Sequence, residues 1–229
     1  MPSASAFTRE ILPAVSRTFA LGIRVLPRDL GNVVRTAYLI CRIADTIEDE
    51  PTLSVERKAE LFDALSRCFD SANAATEFTA RTGAITGDPA HVTLARHADL
   101  VFETYRELTQ RSRASVRHWV GEKIAGMRKF LLAYPTGVRI QSLQEYREYC
   151  YYVAGTIGHL LTDLWHEHSS SIGATTYYAL RGRCRAFAEV LQTVNILKDV
   201  ARDAERELDL RAAGSVACAC CSRTRPCAT

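Results

Sequence analysis

The sequence predicts an all-α fold, and three observations carry that expectation. Apolar residues recur at helical spacing through almost the whole chain, and no stretch alternates convincingly as a strand. The 229 residues include only 12 Gly and 7 Pro, few helix breakers for that length. Hydrophobic residues make up 47% and charged residues 24%, a globular composition able to bury one sizeable core.

The periodicity places helices over 5–15, 31–49, 54–70, 92–109, 112–133, 143–166 and 175–207. Between them, Ser71 to Pro89 is rich in Ala, Thr and Gly and reads as a loop. Ala133-Tyr-Pro-Thr-Gly137 reads as a turn from its Pro and Gly, and Ser169 to Gly173 as a further loop. After Arg206 both the amphipathic spacing and the core stripe stop. The expected organisation is therefore one helical domain over 1–206 and a disordered, Cys-rich tail over 207–229.

Composition also excludes some function classes. A net charge of +3 without a dense Lys/Arg stripe argues against nucleic acid. No stretch approaches the ~18 uncharged apolar residues of a membrane span. The first ten residues lack a basic segment followed by an apolar run. Cys41, Cys68, Cys150 and Cys184 are scattered through helical sequence and read as buried, reduced thiols. The Cys218-x-x-Cys221 pair has no His and no second pair beside it, so the tail is not read as a zinc site. These features predict a cytoplasmic protein, with membrane contact, if any, peripheral.

The chemistry concentrates in two acidic clusters, Asp45-Thr-Ile-Glu-Asp49 and Asn195-Ile-Leu-Lys-Asp199-Val-Ala-Arg-Asp203. Each puts two Asp residues four apart, on one helix face and about 6 Å apart along the axis. Like charges so placed are best stabilised by a cation. Two such clusters face to face would hold Mg²⁺ bridging to a diphosphate, since Mg²⁺ takes one or two carboxylates plus phosphate oxygens. In the first helix Val33, Ala37, Ile40, Ala44 and Ile47 form the core stripe, with Tyr38, Arg42, Asp45 and Asp49 roughly opposite. In the second, Phe187, Val190, Val194, Leu197 and Ala201 form the expected core stripe. Gln192, Asn195, Asp199 and Asp203 form a column of oxygen ligands, flanked by Lys198 and Arg202. A solvated face more often mixes Lys with Glu than repeats Asp in this way.

Two further segments add to this. Tyr149-Cys-Tyr-Tyr-Val-Ala-Gly-Thr-Ile-Gly158 sets three tyrosines ahead of Gly155 and Gly158. Those glycines weaken a helix by about 1 kcal/mol each, and they serve either tight packing or a ligand. Aromatic faces stabilise cations and Tyr hydroxyls relay protons. Ser16-Arg-Thr-Phe19 precedes the first long helix, where Ser16 and Arg17 suit either phosphate binding or a helix cap.

Together these segments, with Tyr38 to Asp49, Gly126-Met127 and Gln192 to Asp203, resemble the squalene/phytoene synthases. They occur in that family's order and cover roughly residues 10 to 206. The wording Asp-Thr-Ile-Glu-Asp is more similar to squalene synthases than to phytoene synthases. The resemblance implies an isoprenoid-synthase helical bundle around a central cavity, and Mg²⁺-dependent head-to-head condensation of two prenyl diphosphates, expected to be farnesyl diphosphate. It implies Asp45, Asp49, Asp199 and Asp203 as Mg²⁺ ligands. Ser16, Arg17, Arg42, Gln192, Asn195 and Lys198 would bind phosphate or orient the ligands. Tyr38 and Tyr149 would stand at the reacting centre, Tyr149 as proton acceptor or cation stabiliser. Presqualene diphosphate reduced with NADPH gives squalene, whereas proton loss gives a phytoene-type triene. The phytoene or dehydrosqualene branch is the alternative activity, and a non-catalytic binding or assembly protein the alternative class. Two departures stand out. Lys198 replaces the family's usual Arg, losing the bidentate fork. The long helices that close the family's cavity after Asp203 are not expected here.

Overall fold

In a computed structural model, residues 3–137 and 139–221 are described, with side chains up to Leu197. Among the described residues the chain forms helices and no strand. α1 (Ala4–Val15) starts where Ser3 Oγ accepts from Ala6 N, and it ends at the extended Ser16. Ser16 then caps α2 (Arg17–Arg24), accepting from Phe19 N at 3.3 Å. α3 (Arg28–Asp49) follows, and α4 (Val55–Arg67) is capped by Ser54.

The segment expected as a loop over 71–89 contains a helix instead, α5 (Ala72–Arg81), followed by a 3₁₀ turn at Thr82–Ala84. Its alanines are the best helix formers, Ser71 Oγ caps it, and Ala75 and Phe78 are fully buried. The helix expected over 92–109 is two, α6 (Pro89–Arg96) and α7 (Ala98–Arg106), broken where His97 leaves helical geometry at φ −120°, ψ 32°. α8 (Gln110–Ala133) ends in a turn whose Gly137 has φ 104°, a conformation that favours glycine. α9 (Leu143–Cys150), a π-helical turn (Tyr151–Gly155) and α10 (Thr156–His168) follow without a gap. α11 runs Ala174–Cys221.

α3 is the centre of the packing, against α1, α4, α6, α7, α8 and α10. Its expected core stripe holds: Val33, Ala37, Ile40, Ala44 and Ile47 are all buried. Leu39 and Ile43 are buried as well, so α3 is enclosed on most sides and its acids sit on the narrow remaining face. Cys41, Cys68, Cys150 and Cys184 are free and buried, as expected.

The chain divides into two compact units, Met1–Glu189 and Val190–Thr229. The expected boundary at 206/207 lies inside the second, and the side chains around it lie outside the described residues. The core stripe expected on α11 is not observed. Phe187 is 65% exposed in the first unit, and Val190, Val194 and Leu197 are also exposed in the second. Ala201 lies outside the described side chains. The first unit instead buries Cys184 and Ala188. The reason is a close approach: a Cβ built on Gly158 would lie 3.4 Å from Cys184 Cβ, and one on Gly155 3.6 Å from Ala188 Cβ. Helices that come this near meet through their small residues, which turns Phe187 outward.

A polar knot ties this part of α11 to α8 and α10. Trp119 Nε1 donates to Asp163 Oδ2 at 2.6 Å, and Tyr177 Oη and Arg181 Nη1 donate to Oδ1 at 2.9 Å. Asp163→Asn keeps the shape but replaces an acceptor oxygen with a donor. We expect it to lower the unfolding free energy by about 1–2 kcal/mol, with a matching fall in the urea midpoint. An unchanged midpoint would mean that the knot contributes nothing.

Candidate active site

Four turns into α3, Asp45 meets cations on both oxygens. Lys123 Nζ, reaching from α8, lies 3.1 Å from Oδ1, and Arg42 Nη1 lies 3.9 Å from Oδ2. Arg42 also donates from Nη2 to Tyr38 Oη at 3.1 Å. The Tyr38 ring packs on Phe19, centroids 5.0 Å apart. The structure thus links the start of α2 to the acidic face of α3 through Phe19, Tyr38, Arg42 and Asp45. Ser16 is committed to capping α2, and Arg17 beside it is exposed.

Enclosure shapes the electrostatics. Burial by itself would pull the Lys123 ammonium down, but Asp45, then Cys41 and Glu48, more than offset it and leave it above its ordinary value. Burial pushes the Glu48 carboxyl up to about 7, with Asp45 and Asp49 adding to the effect and Lys123 opposing it. Asp49, exposed at the rim, is raised by partial desolvation and by the Asp45 charge. The Arg42 guanidinium, despite burial, is raised by its bond to Tyr38 and by Asp45, so it stays charged. Tyr149 feels the same acids: burial, then Glu48, push its hydroxyl up to about 12. Its ring meets Phe130 edge-on, centroids 5.2 Å apart. The Cys41 thiol, pushed up to about 12 by burial, stays protonated and inert.

Asp45, Asp49, Arg42, Tyr38 and Tyr149 therefore fall in one electrostatic neighbourhood. Gln192 is half-buried and Asn195 exposed, both in the second unit. Lys198, Asp199 and Asp203 lie outside the described side chains. Among the described residues no three His, Cys, Asp or Glu side chains form a metal-holding group. Asp45 and Asp49 nonetheless supply the one or two carboxylates that Mg²⁺ takes when phosphate oxygens and water complete its shell, so the donor types fit.

Three residues were not anticipated. Glu48 lay unread between the two aspartates. Glu50, just past α3, is buried and accepts hydrogen bonds from Thr52 and Thr86, fixing the chain beyond Asp49. Lys123 had a legible signal: it stands in the apolar stripe of α8 among Val116, Val120 and Met127, where a Lys is rare unless paired. A cleft of about 610 Å³, lined by Gln144, Arg147, Tyr151, Tyr152, Arg185 and Glu189 among others, lies elsewhere in the first unit. Tyr151 and Tyr152 of the tyrosine segment line it, but none of the residues assigned to metal, phosphate or the reacting centre does.

Known proteins resemble this chain over most of its length. The family model described as squalene/phytoene synthase matches residues 12–208. Squalene synthase 1 of Arabidopsis thaliana is 28% identical over 197 residues, covering 86% of this chain and 44% of that protein. A protein named inactive squalene synthase 2, from the same plant, is 28% identical over 198 residues with the same coverage. The solved complex of TcSQS with the ligand BPH1237 matches with a TM-score of 0.71 at 26% identity, covering 86% of this chain and 53% of that one. The chain thus spans about half the length of these relatives. Its helical architecture around α3 and the family match over most of its length show that this chain belongs to the squalene/phytoene synthases and has their all-α isoprenoid-synthase fold.

Proposed function

We propose that this chain handles prenyl diphosphates in a head-to-head condensation, with farnesyl diphosphate as substrate and presqualene diphosphate, then squalene, as products. The observation that carries the reading is the face of α3, where Asp45 and Asp49 stand beside Arg42, Lys123 and Tyr149 in an otherwise enclosed helix. When bound, Mg²⁺ neutralises the charge that develops on a departing diphosphate, and NADPH supplies the hydride that ends the squalene branch. Asp45 and Asp49 hold the cation, and Arg42, permanently charged and fixed by Tyr38, holds phosphate oxygens. Tyr149 keeps its proton at neutral pH, as any tyrosine does, and burial with the nearby Glu48 raises its hydroxyl further, to about 12. That favours Tyr149 as hydrogen-bond donor and cation-facing ring over Tyr149 as base. The other residues keep the roles that the family resemblance implies: Ser16, Arg17, Gln192, Asn195 and Lys198 toward phosphate, Asp199 and Asp203 toward Mg²⁺. No helix among the described residues is long and apolar enough to cross a membrane, and a hydrocarbon product makes peripheral membrane contact part of the proposal.

The test is incubation with farnesyl diphosphate and Mg²⁺, with and without NADPH, followed by analysis of hydrocarbons and diphosphates. Squalene formed only with NADPH is the expected result, and a triene in both conditions would move the chain to the carotenoid branch. Asp49→Asn is expected to lower turnover about a hundredfold or more, by removing charge placed against the leaving group's counter-ion. A second reading, a non-catalytic helical protein, is favoured by one observation: a relative named inactive squalene synthase 2 matches at the same 28% identity as squalene synthase 1. Substrate binding without any turnover would establish that reading instead.

A further inference from the structure

Asp45 and Asp49 are not equivalent. Asp45 has a cation at each oxygen, whereas Asp49 is exposed and makes no ion pair among the described residues. Lys123 is the stronger of the two partners of Asp45, and it is only 5% exposed. Its stem lies in the buried stripe of α8 between Val120 and Met127, so the ammonium cannot swing into solvent without dragging apolar packing apart. Left without Asp45, it would be an unpaired buried charge, which is costly. Arg42, in contrast, lies farther from Asp45 at 3.9 Å and is shared with Tyr38.

We propose that Lys123 is a positioning residue that acts as a built-in counter-ion to Asp45 and competes with a divalent cation for that carboxylate. It fixes the Asp45 side chain, and it keeps the cation weakly bound until a diphosphate adds its own negative charge. The inference rests on the reading that Asp45 and Asp49 are cation ligands. It assigns to this chain a coupling between metal and substrate: metal alone binds poorly, and metal with diphosphate binds well. Competition of this kind needs no movement of Lys123, because its charge alone disfavours a second cation a few ångströms away.

The experiment follows Mn²⁺ binding to the full chain by the electron paramagnetic resonance of free Mn²⁺, with and without inorganic pyrophosphate. Lys123→Met keeps the length and the apolar stem but removes the charge. It is expected to bind Mn²⁺ about ten- to a hundredfold more tightly than the parent, as befits removal of a direct charge contact at an effective dielectric near ~20. The gain should vanish in the double variant Lys123→Met/Asp45→Asn. Pyrophosphate should raise Mn²⁺ affinity more in the parent than in Lys123→Met. Lys123→Gln is measured in parallel in case the Met variant does not fold, and Lys123→Arg, which keeps the charge, should behave as the parent. Equal Mn²⁺ affinity in the parent and the uncharged variants would overturn the proposal while leaving Asp45 and Asp49 as cation ligands. Mn²⁺ bound by none of them, even with pyrophosphate, would overturn both.

Discussion

Gly126→Ala is expected to destabilise the fold by about 2 kcal/mol, although alanine ordinarily strengthens a helix by about 1 kcal/mol over glycine. A Cβ at Gly126 would fall on Tyr152 Cγ and Cβ, far inside any real contact distance. Because Tyr152 Cβ is itself in the way, no rotamer of the tyrosine clears the clash, and the π-helical turn that carries it must move away from α8. Gly126→Val should cost more, about 3 kcal/mol or beyond. Gly121 supplies the control on the same helix, since nothing lies within 4 Å of a Cβ built there. Gly121→Ala is expected to be neutral or stabilising by up to about 1 kcal/mol. Urea unfolding of the three variants reads the difference, and near-ultraviolet circular dichroism reports the displaced tyrosines. Equal behaviour of Gly126→Ala and Gly121→Ala would show that α8 and the π turn do not approach so closely.

Acid should unfold the protein through Glu50. This carboxylate is 2% exposed and accepts from Thr86 N at 2.6 Å, Thr52 Oγ at 2.7 Å, Thr86 Oγ at 3.0 Å and Thr52 N at 3.1 Å. Burial alone would raise its pKa, but the bonds from Thr52 and Thr86 override that and hold it at about 2, below its ordinary 4.5. A lowered carboxyl stabilises the fold above the unfolded value and ceases to do so as pH falls through the folded one. The contribution of Glu50 is therefore complete above pH 4.5 and disappears on the way down to about 2. Glu50→Ala leaves four donors without their acceptor, and a loss of about 3 kcal/mol at neutral pH is expected. Glu50→Gln should lose somewhat less, and its stability should fall less steeply than the parent's between pH 4.5 and 2. Parallel curves for the parent and Glu50→Gln over that range would contradict the assignment.

The parts of this molecule that were legible in the sequence depend on one helix at a time. The faces of α3 follow from spacing alone, so both Val33 to Ile47 and the Tyr38–Asp49 face were readable before any neighbour was known. The parts that were not legible depend on two helices at once. Which face α11 buries is decided across the gap at Gly155 and Gly158, and the small Cys184 and Ala188 win there over the larger Phe187. The pairing of Lys123 with Asp45 joins residues far apart in the chain, so the sequence showed only that a charge interrupts an apolar stripe. α5 was hidden for another reason. Its Ala- and Thr-rich composition resembles a linker, and only the burial of Ala75 and Phe78 distinguishes it.

The π-helical turn at Tyr151–Gly155 has a consequence for phase. It adds one residue to a helical turn, which rotates everything beyond it by about 100° relative to an uninterrupted α-helix. The helix before it presents Tyr149 to the acids of α3, and the helix after it presents Asp163 to Trp119 and Gly158 to Cys184. The single extra residue resets the angular offset between the face that carries Tyr149 and the face that carries Gly158 and Asp163. It acts like the vernier of a micrometer, setting the angular offset between a chemical face and a packing face. Within these five positions, length is therefore constrained as well as the identity of Gly155.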